Sequence, residues 1–134
     1  MAHSSAAAKV LPSLSRVRTA ERGVSRKEAT RLFEIIARGA KAPVREIRSN
    51  IIPESSWKRA GDRLPPAATQ STLRLERVLQ LAESIWGDKD AASAWLNTPH
   101  PELNRATPFS LLRTEAGGRA VEDLLIALEH GFPV

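Results

Sequence analysis

Apolar residues recur along this chain at helical spacing, and punctuation residues divide them into short segments. Ala29, Leu32, Phe33 and Ile36 stand at i, i+3, i+4 and i+7, one face of a helix. Ser25 and Glu28 precede them with the spacing of a capping box, and Gly39 reads as the stop. Pro43 suits the first position of a short helix to about Ser49 that carries Val44 and Ile47. Asn50, Ile51 and Ile52 are expected to form a tight turn with two apolar side chains inside. Pro53 opens a second short helix, Glu54 to Ala60, and Leu64-Pro65-Pro66 reads as a hinge.

The second half is more regular. Leu75, Val78, Leu79, Ala82 and Trp86 form one stripe of a helix expected from about Thr69 to Trp86. Gly87 ends it, and Asp88 caps a helix carrying Ala91, Ala92, Trp95 and Leu96. Asn97 to Arg105 is an irregular connection, after which Thr107-Pro108 opens a short helix through Leu111 and Leu112. Val121, Leu124, Leu125 and Leu128 mark the last helix, with His130 in its final turn and Gly131 as its cap. Runs of β-branched and aromatic residues, the signal for strands, are missing. The pattern predicts an all-α fold with a flexible basic tail over 1–24, a helix-turn-helix-like region over 25–66 and a small helical domain over 67–134. Within the tail, Arg16, Arg18 and Arg22 line either a short helix or a basic arm.

Charge sharpens this division. The net +5 of the 134 residues conceals 14 Lys and Arg against 6 Asp and Glu in residues 1–66, a net of +8. Residues 67–134 hold 6 against 9, a net of −3. A basic half facing nucleic acid and a second half with other business is the natural inference. Short helix, tight turn and short helix match the helix-turn-helix plan, with the helix opened by Pro53 as recognition helix. Ser55, Ser56, Lys58 and Arg59 are its expected polar surface and Trp57 its anchor, flanked by Arg45, Arg48 and Arg63 as phosphate contacts.

Catalysis fares badly by comparison. The three histidines are far apart in sequence, and no metal-ligand spacing, phosphate loop or nucleophile elbow is present. Glu122 and Asp123 are adjacent, so on a helix they diverge. With no cysteine, disulfides and thiolate metal sites are excluded. No enzyme, cofactor or metal site is expected. No stretch reaches the roughly 18 apolar residues of a membrane span, and residues 1–14 lack a signal-peptide core, which points to the cytoplasm.

The segment from Trp95 onward is the most specific. It runs Trp95-Leu96, a loop with Pro99, Pro101 and Leu103, then Thr107-Pro108, Leu111-Leu112, Thr114-Glu115-Ala116-Gly117, Val121-Glu122-Asp123-Leu124-Leu125 and Gly131. In that order these residues resemble the C-terminal toxin-binding domain of the Xre/MbcA/ParS antitoxin family. Ser55, Ser56, Arg59, Leu64 and Thr69 also look like the family's passage from recognition helix to second half, though Pro53, Trp57 and Ala60 depart from it. The resemblance implies an Xre/Cro-like helix-turn-helix region followed by a toxin-binding domain. It further implies a RES-domain toxin that consumes NAD⁺ as partner, neutralised when the last helix and C-terminal tail cover its active-site entrance. Carried over here, the contact surface is Glu122, Asp123, Ile126, Glu129, His130, Gly131, Phe132, Pro133 and Val134. Autorepression by a homodimer on operator double-stranded DNA is implied as well. Two other readings stay open: a helix-turn-helix regulator whose C-terminal half only dimerises, and an adaptor for a toxin of another type.

Overall fold

The structure, a computed structural model, describes residues 14–131. Every named element in that range is helical, in agreement with the all-α expectation, and the segment opened by the hinge-like prolines packs on the segment before it. One continuous cluster of buried side chains runs from Val24 through Phe33, Ile47, Ile52 and Leu75 to Leu96, Leu112 and Leu125. The basic and the acidic halves therefore share a core.

Helix α1 spans Leu14–Arg22. Of the two readings of Arg16, Arg18 and Arg22, the helix is the one observed. It lies on the long helix of the second half, held in part by an ion pair between Arg16 and Glu76. Helix α2, Arg26–Ala40, starts as its sequence predicts: the Ser25 hydroxyl accepts the Glu28 N–H at 3.1 Å. It does not stop at Gly39. Lys41, in the left-handed region at φ 54°, caps it instead. Gly39 has another reason to lack a side chain. A Cβ there would run into the Ser93 hydroxyl and come within 2.8 Å of the Ser93 carbonyl carbon. The glycine lets two helices cross in close contact, and Ser93 seals the crossing by donating its hydroxyl to Ile35 O at 3.0 Å.

Helix α3, Val44–Ile51, runs two residues beyond the expected end, so Asn50 and Ile51 belong to it and the turn is Ile52-Pro53 alone. The cause is local. A residue before proline is driven out of the helical region, and Ile52 is extended at φ −127°, ψ 121°. Both isoleucines are buried as expected, at 4% and 0% exposure. Helix α4, Glu54–Arg59, follows Pro53.

Helix α5 spans Pro66–Trp86 and begins three residues before the expected Thr69. Pro66 occupies a first-turn position, where its missing N–H costs nothing. Thr69 lies buried inside the helix, accepting the Val24 N–H at 3.1 Å and donating to Leu64 O at 3.0 Å. Gly87, at φ 95°, ends α5 as predicted. Helix α6, Lys89–Leu96, opens on Asp88, whose carboxylate accepts the Ala91 N–H at 2.7 Å. Two 3-10 turns, Pro101–Leu103 and Phe109–Arg113, lead to helix α7, Glu115–Glu129. Helices α6 and α7 both pack on α5, and α2 lies across α6. No helix among the described residues is long and apolar enough to cross a membrane.

Candidate partner-binding surfaces

In the basic half, the short helix α4 depends on its neighbours for its position. Trp57 is its anchor, 9% exposed, with its ring edge-on to Phe33 at 6.2 Å between centroids. Two guanidiniums flank the indole, Arg26 at 4.2 Å and Arg48 at 4.9 Å from the ring centroid. Arg26 also donates to Trp57 O at 2.7 Å and Ala60 O at 3.0 Å, satisfying carbonyls that a six-residue helix leaves open at its C-terminus. Sequence reasoning missed Arg26. It directly follows an N-cap serine, where nothing in its immediate sequence points to a partner 31 residues on.

Arg48, expected as a phosphate contact, is turned inward. Its Nη2 donates to both Glu54 carboxylate oxygens, at 2.9 and 3.2 Å, and only 16% of its side chain is exposed. Arg48 lowers the Glu54 carboxyl below the usual carboxylate range, first by hydrogen bonding and then by its charge. Arg45, Ser55, Lys58 and Arg59 are exposed and Ser56 is half-buried. Arg59 and Arg63 line one shallow hollow with Ser56, Ala60, Gly61 and Pro65. Arg63 also donates to Gly23 O at 3.2 Å. Six of the seven predicted residues therefore present at least part of their surface beside α3 and α4, while Arg48 braces α4 from within.

In the second half, α7 begins at Thr114, whose hydroxyl accepts the Gly117 N–H at 3.0 Å. Gly117 lies against the preceding 3-10 turn. A Cβ on it would strike the Leu111 carbonyl oxygen and lie 2.9 Å from the carbonyl carbon. Gly118 passes over Arg74 of α5, where a Cβ would lie 2.6 Å from Arg74 Cδ. Arg74 is itself 8% exposed, donating to Leu112 O at 3.2 Å and to Glu115 Oε1 at 3.0 Å. Arg74 lowers the Glu115 carboxyl, again by hydrogen bonding first and charge second. The Thr-x-x-Gly spacing thus has a physical origin: the threonine caps the helix, and the glycine admits the backbone of the turn before it.

These contacts fix which way α7 faces. Val121, Leu124 and Leu125 are buried. Glu122 leans onto α5, where Arg77 Nη2 meets its carboxylate at 2.7 Å. Asp123, Ile126, Glu129, His130 and Gly131 are exposed, and Ile126 is an apolar side chain at 44% exposure. Gly131 takes the left-handed conformation at φ 76°, and its N–H donates to Leu128 O at 3.1 Å. Phe132, Pro133 and Val134 lie outside the described residues.

Residues 81–131 match the family described as the antitoxin Xre/MbcA/ParS C-terminal toxin-binding domain. A protein named Antitoxin Xre from Pseudomonas putida is 31% identical over 107 residues, covering 78% of this chain and 66% of the relative. Another of that name, from Yersinia enterocolitica, is 38% identical over 97 residues, covering 69% of this chain and 66% of the relative. This chain belongs to the Xre antitoxin family. A third Antitoxin Xre, from Photorhabdus laumondii, is 39% identical over 65 residues, covering 48% of this chain and 44% of its own length. The chain spans just under two thirds of the length of the first two relatives. The family match takes in the end of α5, all of α6, both 3-10 turns and α7. The Arg74 and Arg77 contacts reach into it from just outside.

Proposed function

We propose that this protein is an antitoxin that binds a toxin through the outer face of α7 and neutralises it by covering its active site. The observation that carries the reading is the exposed row Asp123, Ile126, Glu129 and His130 on a helix inside the segment that matches a toxin-binding domain. An exposed isoleucine framed by charged side chains suits the small apolar centre and polar rim of a protein interface. In sequence, Phe132, Pro133 and Val134 extend the same contact surface. The toxin is a RES-domain protein that consumes NAD⁺, by resemblance to the family's usual pairing. The basic half binds operator DNA as a dimer and represses its own operon, with Arg45, Ser55, Ser56, Lys58, Arg59 and Arg63 as the contacting residues.

The test is co-expression with the toxin encoded beside the gene, reading growth and cellular NAD⁺. Ile126→Arg places a charge at the centre of the proposed contact and leaves the core intact. It is expected to abolish co-purification and let NAD⁺ fall. Unchanged co-purification and unchanged NAD⁺ would remove α7 from the contact.

A further inference from the structure

Helix α1 has no role in that reading, although it carries two exposed arginines, Arg18 and Arg22. Arg18 and Arg22 stand four residues apart, so they share a face, and both are exposed. Among the described residues neither takes part in an ion pair, whereas Arg16, two residues before Arg18 and on another face, pairs with Glu76.

The chain leaving α1 is tied to the chain leaving α4. Leu64 N–H donates to Val24 O at 2.8 Å and Arg26 N–H to Asp62 O at 2.9 Å, with Ser25 bridged to Arg63 between them. The approach is close enough that a side chain on residue 23 would collide with the Leu64 carbonyl, and Gly23 takes a φ of 95°. Arg63 reaches over to the Gly23 carbonyl, one residue from Arg22. On its other side Arg63 lines the hollow with Ser56, Arg59 and Gly61. That hollow is open above Gly61, where a Cβ would meet nothing within 4 Å. The backbone join therefore sets the end of α1, with Arg22 one residue from the carbonyl that Arg63 binds and Arg18 one turn earlier, beside the segment that carries Arg59 and Arg63. The acids next to these cations in sequence are Glu21 and Asp62, both exposed.

We propose that α1 is part of the DNA-binding surface. One backbone phosphate sits in the hollow between Ser56, Arg59 and Arg63, and the guanidiniums of Arg22 and Arg18 engage phosphates further along the duplex. Guanidinium forks match phosphate oxygens in geometry, and cations without ion pairs bind them without first breaking one. These contacts position the duplex and carry no sequence information. The inference rests on the DNA reading above, and it makes a segment outside the helix-turn-helix plan part of the footprint.

The experiment is a fluorescence-anisotropy titration of the full chain at several salt concentrations. Its probes are two labelled duplexes, one spanning the region upstream of the protein's own coding sequence and one of unrelated sequence, and a stem-loop RNA. Each neutralised phosphate contributes about 0.9 to the slope of log affinity against log salt. Arg18→Ala with Arg22→Ala is expected to reduce that slope by about 1.8 on both duplexes. The corresponding pair of Glu substitutions weakens binding further, with melting curves confirming that the fold persists. Lys89→Ala, on α6, serves as the control and leaves the slope unchanged. If Arg59→Ala and Arg63→Ala reduce the slope and the α1 pair does not, α1 is no part of the footprint while the DNA reading stands. If the unaltered chain shows no salt-dependent binding to either duplex, or binds only the RNA, the DNA reading fails and this inference with it.

Discussion

Replacing Gly117 with alanine pits two effects against each other whose sizes differ enough to decide the outcome. By propensity alone the change helps, since alanine gains up to about 1 kcal/mol over glycine in a helix. Gly117 has ordinary helical backbone angles, so no conformational strain opposes the change. The opposition is steric. The new Cβ lies 2.9 Å from the Leu111 carbonyl carbon and nearer still to its oxygen, and both are backbone atoms that no rotamer change can move. The 3-10 turn Phe109–Arg113 must shift relative to α7. Overpacking of this kind costs ~1–3 kcal/mol. The cap bond from Gly117 N–H to the Thr114 hydroxyl stretches as well, and losing such a cap costs ~1 kcal/mol. The balance is a net loss of about 2 kcal/mol. For a chain of this length that corresponds to a fall of about 6–10 °C in melting temperature. Circular dichroism at 222 nm, in a thermal melt and in urea, reads it directly. A Gly117→Ala protein melting at or above the parent would refute the steric argument and leave propensity in charge. Gly61→Ala is the matched comparison: with open space around its Cβ, it is expected to be neutral or to raise stability by up to about 1 kcal/mol.

Three further outcomes follow from the same contacts. Arg26→Ala removes two charge-assisted hydrogen bonds to the end of α4 and one guanidinium from the Trp57 face, and is expected to cost about 2–4 kcal/mol. Hydrogen exchange should show the loss concentrated in residues 54–60, and uniform exchange across the chain would count against it. Asp88→Ala and Ser25→Ala each remove one N-cap, at about 1 kcal/mol apiece, and the two losses should add in urea melts because the caps share no partner. The pH dependence has two opposing parts. Arg48 and Arg74 lower the Glu54 and Glu115 carboxyls, so their stabilising contribution is present at neutral pH and lost as pH falls through those depressed folded-state values. Burial raises the Glu76 carboxyl, with Arg16 opposing and Glu28 adding to the shift. A raised acid destabilises the charged folded state at neutral pH, and protonation relieves this as pH falls through its folded-state value. Glu76→Gln should therefore remove the rise in stability that accompanies protonation of Glu76 as pH falls. An identical pH profile for the variant and the parent would contradict that assignment.

The reach of the sequence follows the range of the interaction. The caps at Ser25, Asp88 and Gly87 and the apolar stripes of α2, α5 and α7 were legible because each is set by residues three or four apart. Gly39 was misjudged for a related reason: a glycine near the end of a periodic run looks like a stop, and its contact with Ser93 lies 54 positions away. Ile51 and Ile52 were correctly expected inside, but the turn was placed too early because the constraint comes from Pro53. The orientation of Arg48 was not legible. Six positions from Glu54, across a turn, it had the appearance of any exposed cation on a short helix. Arg74 was overlooked because a charged residue on a long helix is ordinarily solvated, and only the close passage of Gly118 closes the space around it.

The crossing of α2 and α6 at Gly39 and Ser93 bears on how the family can diversify. A helix-turn-helix segment and a toxin-binding segment that met only through a linker could be exchanged between relatives as cassettes. Here the basic half contributes Phe33 and Ile36 to the same core as Leu96 and Leu125, and its Asn50 side chain donates to the Phe109 carbonyl across the join at 3.2 Å. A chimera cut at the Pro65-Pro66 hinge would sever a packed interior at its middle. Under the proposed function, new partners for either half are more readily reached by changing exposed side chains on an undivided scaffold than by shuffling its halves.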